Sequence, residues 1–308
     1  MDRCTDVAIR GTRAAKRAFV AMALAGAAYS AGCSDASSGA TFADAGNGNG
    51  NGDGAKDAGT FPDVAFGGAL DSGGDANSPC QTVIQALVRD FKPSTEGGHP
   101  DFENESFCSG NATTGLVAQD LGSDRTPMFA SVGSRAQITS AATFADWYHD
   151  VPSVNARIPI TLTLTESPPG SKTYVYANDA FFPIDGMGFG NGPVMQSDCV
   201  GAPAPGTPHN FSFTTELHLA FTYDGGEVFS FRGDDDLWVF INGKLALDLG
   251  GLHPELDGTA NLDALASQLG IAKGQRYPLD IFHAERHTKG SHFNITTTIK
   301  CLTPGSPR

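Results

Sequence analysis

From Phe211 to Tyr223 the bulky residues Phe211, Phe213, Leu217, Leu219, Phe221 and Tyr223 all fall on odd positions. Side chains of an extended chain alternate between two faces, so this spacing predicts a strand with one apolar face. Asp224-Gly225-Gly226 follows and reads as a hairpin turn, with Val228, Phe229 and Phe231 opening the return strand. Thr82 to Val88, Ile158 to Thr165, Tyr174 to Ala177, Leu237 to Ile241, Leu245 to Leu249, Tyr277 to Phe282 and Phe293 to Ile299 extend the series. Two short helices are expected, Ser140 to Tyr148 and Asn261 to Leu269, the second closed by Gly270. Short strands separated by Gly/Pro turns predict an all-β sandwich or barrel spanning about residues 80–302, with 303–308 as a tail.

Charge excludes some functions. Across 308 residues, 34 Asp and Glu oppose 20 Lys and Arg, and the net charge is -14. No basic patch is left to neutralise phosphates, which argues against a nucleic-acid partner. The only long apolar run is N-terminal, so a polytopic membrane protein is excluded. That run, Ala18 to Gly32, follows Arg10, Arg13, Lys16 and Arg17 and ends at Cys33, the pattern of a signal peptide over residues 1–33. Ser30-Ala31-Gly32-Cys33 resembles a bacterial lipobox, although Ser30 stands where that pattern prefers Leu. The resemblance implies a lipoprotein with its lipid on Cys33; cleavage after Ala27 is the alternative. Residues 34–79 hold eleven Gly and seven Asp, and are expected to form a disordered spacer.

Beyond the signal region lie Cys80, Cys108, Cys199 and Cys301. In an oxidising compartment four cysteines suggest two disulfides, with three connectivities open. Cys80 and Cys301 bracket the folded part, which favours Cys80–Cys301 with Cys108–Cys199.

The chemistry concentrates at Gly233-Asp234-Asp235-Asp236-Leu237-Trp238-Val239-Phe240-Ile241-Asn242. Three adjacent carboxylates repel one another beside a strongly apolar strand unless a positive charge joins them. A calcium ion, which collects 6–8 oxygens, is one candidate. The plain alternative is a solvated acidic turn.

The same stretch, continued to Gly251, resembles the central motif of the fibro-slime domain, a branch of the PA14 superfamily. Further pieces match in order: His99-Pro100-Asp101-Phe102-Glu103, Asp146-Trp147-Tyr148, Phe181 to Gly186, His209-Asn210-Phe211 and Ala284-Glu285-Arg286-His287. The resemblance implies a PA14-like β-sandwich of secreted, surface or extracellular-matrix proteins. In lectin-type PA14 domains an Asp-Asp pair joined by a cis peptide binds calcium, which ligates sugar hydroxyls. That pair aligns with Asp234-Asp235, while Asp236 stands where many PA14 domains have Gly. Asp236 and Asn242 are further oxygen-ligand candidates, and His253, Glu285, Arg286 and His287 are candidates to support the site.

Other readings remain. His283, Glu285 and His287 would share one face of a strand and suit a hydrolytic zinc site. His99, Asp101 and Glu103 read as loop-fixing residues with a catalytic alternative. Trp147, Tyr148, Phe181 and Phe182 read as core rather than as sugar platforms. Gly186 to Gly192 reads as a flexible loop beside the ion. Together these residues point to a calcium-dependent carbohydrate-binding or adhesion module, not an enzyme, exported to the cell surface or outside the cell. Its partner would be a polysaccharide or matrix glycan. A structural matrix or envelope protein, or a metal-dependent hydrolase, are the alternatives.

Overall fold

The strand Phe213–Tyr223 is buried along both faces, and this decides the architecture around it. In the computed structural model, residues 82–305 are described, apart from 198, 200 and 201. The expected signal peptide, Cys33, the spacer and Cys80 lie outside the described residues.

In chain order the strands are β1 (Val83–Phe91), β2 (Asn155–Thr163), β3 (Thr165–Glu166), β4 (Tyr174–Asn178), β5 (Met195–Gln196), β6 (Ala204–Pro205) and β7 (Phe213–Tyr223). They continue with β8 (Val228–Gly233), β9 (Asp236–Ile241), β10 (Lys244–Leu249), β11 (Leu256–Asn261), β12 (Gln275–Glu285), β13 (Phe293–Thr297) and β14 (Thr303–Pro304). One sheet runs β10-β9-β12-β7-β1-β2, with β14 also paired to β7. A second runs β11-β8-β13-β4-β3, and β5 and β6 form a small pair. Phe213, Leu217, Leu219, Phe221 and Tyr223 share one apolar core with Phe229, Phe231, Phe293 and Ile295 of the second sheet. The fold is therefore an antiparallel β-sandwich, as the alternation predicts.

The alternation does not reveal that the other face of the first sheet is also covered. Trp238, Phe240, Phe282 and Ala284 pack there against Phe91, Phe102, Leu116, Ile138, Phe144, Trp147 and Tyr148. Most of those partners come from the segment between β1 and β2, which lies over the sheet. Burying each such aromatic contributes roughly 1.5–3 kcal/mol. Trp147, Tyr148 and Phe181 are core residues, as expected, whereas Phe182 is only half-buried and stacks on His209 at 3.8 Å.

Asp224-Gly225-Gly226 is not a hairpin. β7 pairs with β12 and β1, while β8 pairs with β11 and β13, so the turn carries the chain from one sheet to the other. Gly225 and Gly226 adopt φ of 98° and 86°, and the Glu227 carboxylate accepts from Asp224 N and Gly225 N at 2.8 Å each. A side-chain clamp thus replaces the ladder that a hairpin would supply.

Helix α1 (Ala141–Ala145) is shorter than expected but starts where expected, at a capping box formed by Ser140 and Thr143. Helix α2 (Leu262–Leu269) is capped by Asn261 and ends at Gly270, whose φ of 65° suits glycine. The folded chain also reaches Pro304, two residues into the expected tail, because Thr303 and Pro304 pair with Ala220 and Leu219.

Candidate functional site

Asp234 and Asp235 sit between β8 and β9, where the chain passes from the second sheet into the first. Their connecting peptide is cis. Both line a cavity of about 280 Å3, together with His253, Glu255, His287, Thr288, Lys289 and His292. The Thr288–Lys289 peptide in that wall is also cis.

Each acid has a different set of partners. Asp234 accepts from His292 N at 2.6 Å and from His292 Nδ1 at 2.8 Å, and its carbonyl oxygen accepts from His283 Nε2 at 2.8 Å. Asp235 accepts from His253 N at 3.3 Å and Arg286 N at 3.0 Å. A carboxylate has about four lone-pair sites, so Asp235 retains capacity for another ligand. Asp236 turns away: it does not line the cavity, and its oxygens accept from Gly251 N at 2.5 Å and Arg286 Nε at 2.6 Å.

The charges are unevenly balanced. Asp236 has Arg286, and Asp234 has His292, as ionic partners. Among the described residues no such partner reaches Asp235 or Glu285, and Glu285 Oε2 is buried without a hydrogen bond. Burial, reinforced by Asp234 and Asp236 and opposed by Arg286, pushes the Asp235 carboxyl well above its usual range. Burial, together with Asp235 and Asp234, does the same to Glu285. Hydrogen bonding to Asp234 raises His292, while burial lowers His283 to about 4.

The four candidate supporting residues surround the acids. His253 offers its backbone N–H to Asp235, and its ring nitrogens face the carbonyls of Pro254 and Leu249. Arg286 joins Asp235 through its backbone and Asp236 through its guanidinium, whose Nη1 also donates to Gln137 O at 2.7 Å. Glu285 is buried behind the acids, and His287 lies in the cavity wall.

Asn242 is not part of this cluster and is a correction to the expected ligand set. It occupies the β9–β10 turn, at the far end of β9 from Asp236, roughly 20 Å away at about 3.3 Å per residue. Its Nδ2 donates to Leu269 O at 2.9 Å. Nearness in sequence misleads here because β9 is fully extended.

Nor do His283, Glu285 and His287 gather their ligand atoms: among the described residues, the one such group is Cys108, Cys199 and His287. His283 is held by Asp234 O and ringed by Phe181, Phe213, Phe231 and Phe293. Cys108 and Cys199 form a disulfide, and Cys301 is also disulfide-bonded.

The Gly186–Gly192 loop does not line the cavity, contrary to expectation. It folds against β1, where Phe189 N donates to Asp90 Oδ2 at 2.5 Å and Asn210 Nδ2 donates to Asp90 Oδ1 at 2.7 Å. Asp101 fixes a loop through Thr139 N and Trp147 Nε1. Glu103 accepts from Thr288 N at 3.0 Å, bracing the cavity wall from behind. That role was not legible in the sequence, because 185 residues separate the two.

Residues 167–307 match the family model of the PA14 domain. Protein psiQ of Dictyostelium discoideum is 43% identical over 229 residues, covering 74% of this chain and 22% of psiQ. Protein psiR of the same organism is 43% identical over 222 residues, covering 71% of this chain and 21% of psiR. The chain thus spans about a fifth of the length of these relatives. Among solved structures, the PA14 sugar-binding domain from an RTX adhesin aligns with a TM-score of 0.27 and 10% identity, covering 70% of this chain and 89% of that one.

Proposed function

We propose that this chain is a carbohydrate-binding and adhesion module of the fibro-slime branch, exported and either anchored through a lipid on Cys33 or secreted. Calcium held by Asp234 and Asp235 would present the site to a polysaccharide or matrix glycan. The observation that carries this reading is the charge balance at the cavity: Arg286 and His292 pair with Asp236 and Asp234, and among the described residues no ion pair is formed by Asp235 or Glu285. Asp235 borders the cavity, so a divalent cation can reach it and favour its ionised form.

The donor set fits a hard cation. Asp234 and Asp235 both line the cavity and offer carboxylate oxygen, the ligand type calcium prefers. Two carboxylates supply only part of its 6–8 oxygens, and glycan hydroxyls can complete the set. His292 and the backbone N–H groups of His253 and Arg286 orient the carboxylates. Asp236 and Arg286 form a fully buried ion pair next to them. The resemblance to lectin-type PA14 domains supports the ligand class.

Calorimetric titration with calcium, followed by glycan-array binding with and without chelator, tests the reading. Calcium binding and chelator-sensitive glycan retention are expected, and both should be lost in Asp235→Asn. Calcium binding with a raised Tm but no retained glycan would favour a structural matrix role instead. An unchanged calcium isotherm in Asp235→Asn would remove the site assignment.

A further inference from the structure

Beside the acidic pair, the cavity wall holds a second set of donors of different chemistry. Cys199, Ser109 and His287 line it, and Cys108 lies directly behind in its disulfide with Cys199. His287 Nε2 is 3.8 Å from Cys108 Sγ and 3.4 Å from Glu105 Oε1, and Cys108 Sγ is 3.7 Å from Glu105 Oε2. A tetrahedral ion with bonds of about 2.0–2.3 Å needs ligand separations of roughly 3.3–3.8 Å. These three donors already stand at such separations. Cys199 Sγ lies 3.7 Å from Nδ1 of the same imidazole and is bonded to Cys108 Sγ, so it reaches such a separation from Cys108 only once the disulfide is open.

A second observation concerns the imidazole's orientation. His287 Nδ1 donates to the carbonyl oxygen of Thr288. That bond puts the proton on Nδ1 and leaves the Nε2 lone pair facing Cys108 and Glu105. Metal-ligating histidines are commonly oriented by a carbonyl in this way. The neighbouring Asp234 and Asp235 offer only oxygen and suit a hard cation, whereas two sulfurs and an imidazole select a softer one.

We infer that Cys108, Cys199 and His287, with Glu105 as fourth ligand, form a redox-gated site for a thiophilic divalent cation of the zinc class. The site is closed while the disulfide stands, because a disulfide sulfur is not a thiolate. A dithiol reductant opens it: the disulfide takes up two electrons and two protons to give two thiols, and the dithiol becomes a disulfide. Metal binding then expels the two thiol protons and forms two metal–sulfur bonds. The inference does not depend on calcium or glycan binding.

Cobalt(II) is the probe, because thiolate coordination gives it intense charge-transfer absorption. The full chain, reduced with a water-soluble phosphine that does not itself supply thiols, is titrated with cobalt chloride and then with zinc. The phosphine is oxidised to its oxide with oxygen drawn from water, so the electron balance matches the dithiol case. Reduced wild-type protein is expected to show the thiolate bands and lose them to zinc, while the oxidised protein shows neither. A C108A/C199A variant, which keeps the other cysteines, should lack the bands, and His287→Ala should weaken cobalt binding at least tenfold. Equal bands in C108A/C199A, unchanged affinity in His287→Ala, or no bands in reduced wild type would each overturn the assignment. Asp235→Asn should leave the cobalt signal intact, which separates this site from the calcium reading.

Discussion

Arg286 Nε lies 2.6 Å from Asp236 Oδ2 with both side chains fully removed from solvent, and the guanidinium carbon sits 4.8 Å from the centre of the Trp147 ring. The pair ties the end of β12 to the start of β9 and to the segment covering the first sheet. Removing one partner of a buried ion pair strands the other charge, at a cost of about 3–5 kcal/mol. Arg286→Gln is expected to destabilise the domain by that amount in urea unfolding followed by tryptophan fluorescence. A loss below about 1 kcal/mol would mean that Asp236 finds another cation or takes up a proton.

The covering segment is anchored by a very short helix, so its cap should matter. Ser140 Oγ accepts from Thr143 N at 3.1 Å, and Thr143 Oγ1 accepts from Ser140 N at 3.1 Å. One turn later Phe144 enters the outer core against Trp147 and Trp238. Ser140→Ala is expected to cost about 1 kcal/mol. Urea unfolding measures the loss, and an unchanged midpoint would show that Phe144 packing alone holds the turn.

The sandwich was legible because Phe213 to Tyr223 alternates cleanly, and α2 because Asn261 and Gly270 mark its ends. The turn at Asp224 differs from the expected hairpin for a physical reason: two glycines permit a tight reversal, but which strand β8 pairs with depends on residues far along the chain. The outer core is not legible in the sequence because Glu216, His218 and Asp280 place polar groups on the covered face. Glu216 and Asp280 are buried and paired, Glu216 with buried Arg89 at 3.2 Å and Asp280 with half-buried His218 at 2.7 Å. Of the site, the adjacent acids showed in the sequence and the resemblance pointed to His253 and Arg286 as their support, but the contact from His292 did not, since it joins the acids to a loop 58 residues further on.

Gly188 offers a test of where the Gly186–Gly192 loop acts. Its φ is 55°, and a Cβ there would come within 2.0 Å of Asp90 Oδ2. Gly188→Ala therefore has to displace the Asp90 carboxylate from Phe189 N or shift the loop. We expect a loss of more than about 1 kcal/mol in thermal or urea unfolding. Because the loop does not border the cavity, the calcium isotherm should stay unchanged. A weakened isotherm with intact stability would place the loop back in the site.

Glu103 links the pH dependence of stability to the cavity wall. Burial, opposed by the Thr288 N–H and reinforced by Glu105, raises its pKa from 4.5 to about 8. The folded protein therefore binds one more proton than the unfolded chain between those values. The stability this proton contributes is fully present below pH 4.5 and is lost as the pH rises through about 8. Across the window the cumulative loss is on the order of 4 kcal/mol. Glu103→Gln keeps a carbonyl oxygen for Thr288 N and cannot ionise, so its stability should lack this component. Urea unfolding of both proteins at about pH 5 and about pH 9 compares them near the two ends of the window. The wild type should be at least as stable at the lower pH and lose ground to Glu103→Gln by several kcal/mol at the higher. A constant difference between the two would mean that Glu103 is ionised in the folded protein throughout, with the Thr288 wall held by a carboxylate rather than a carboxylic acid.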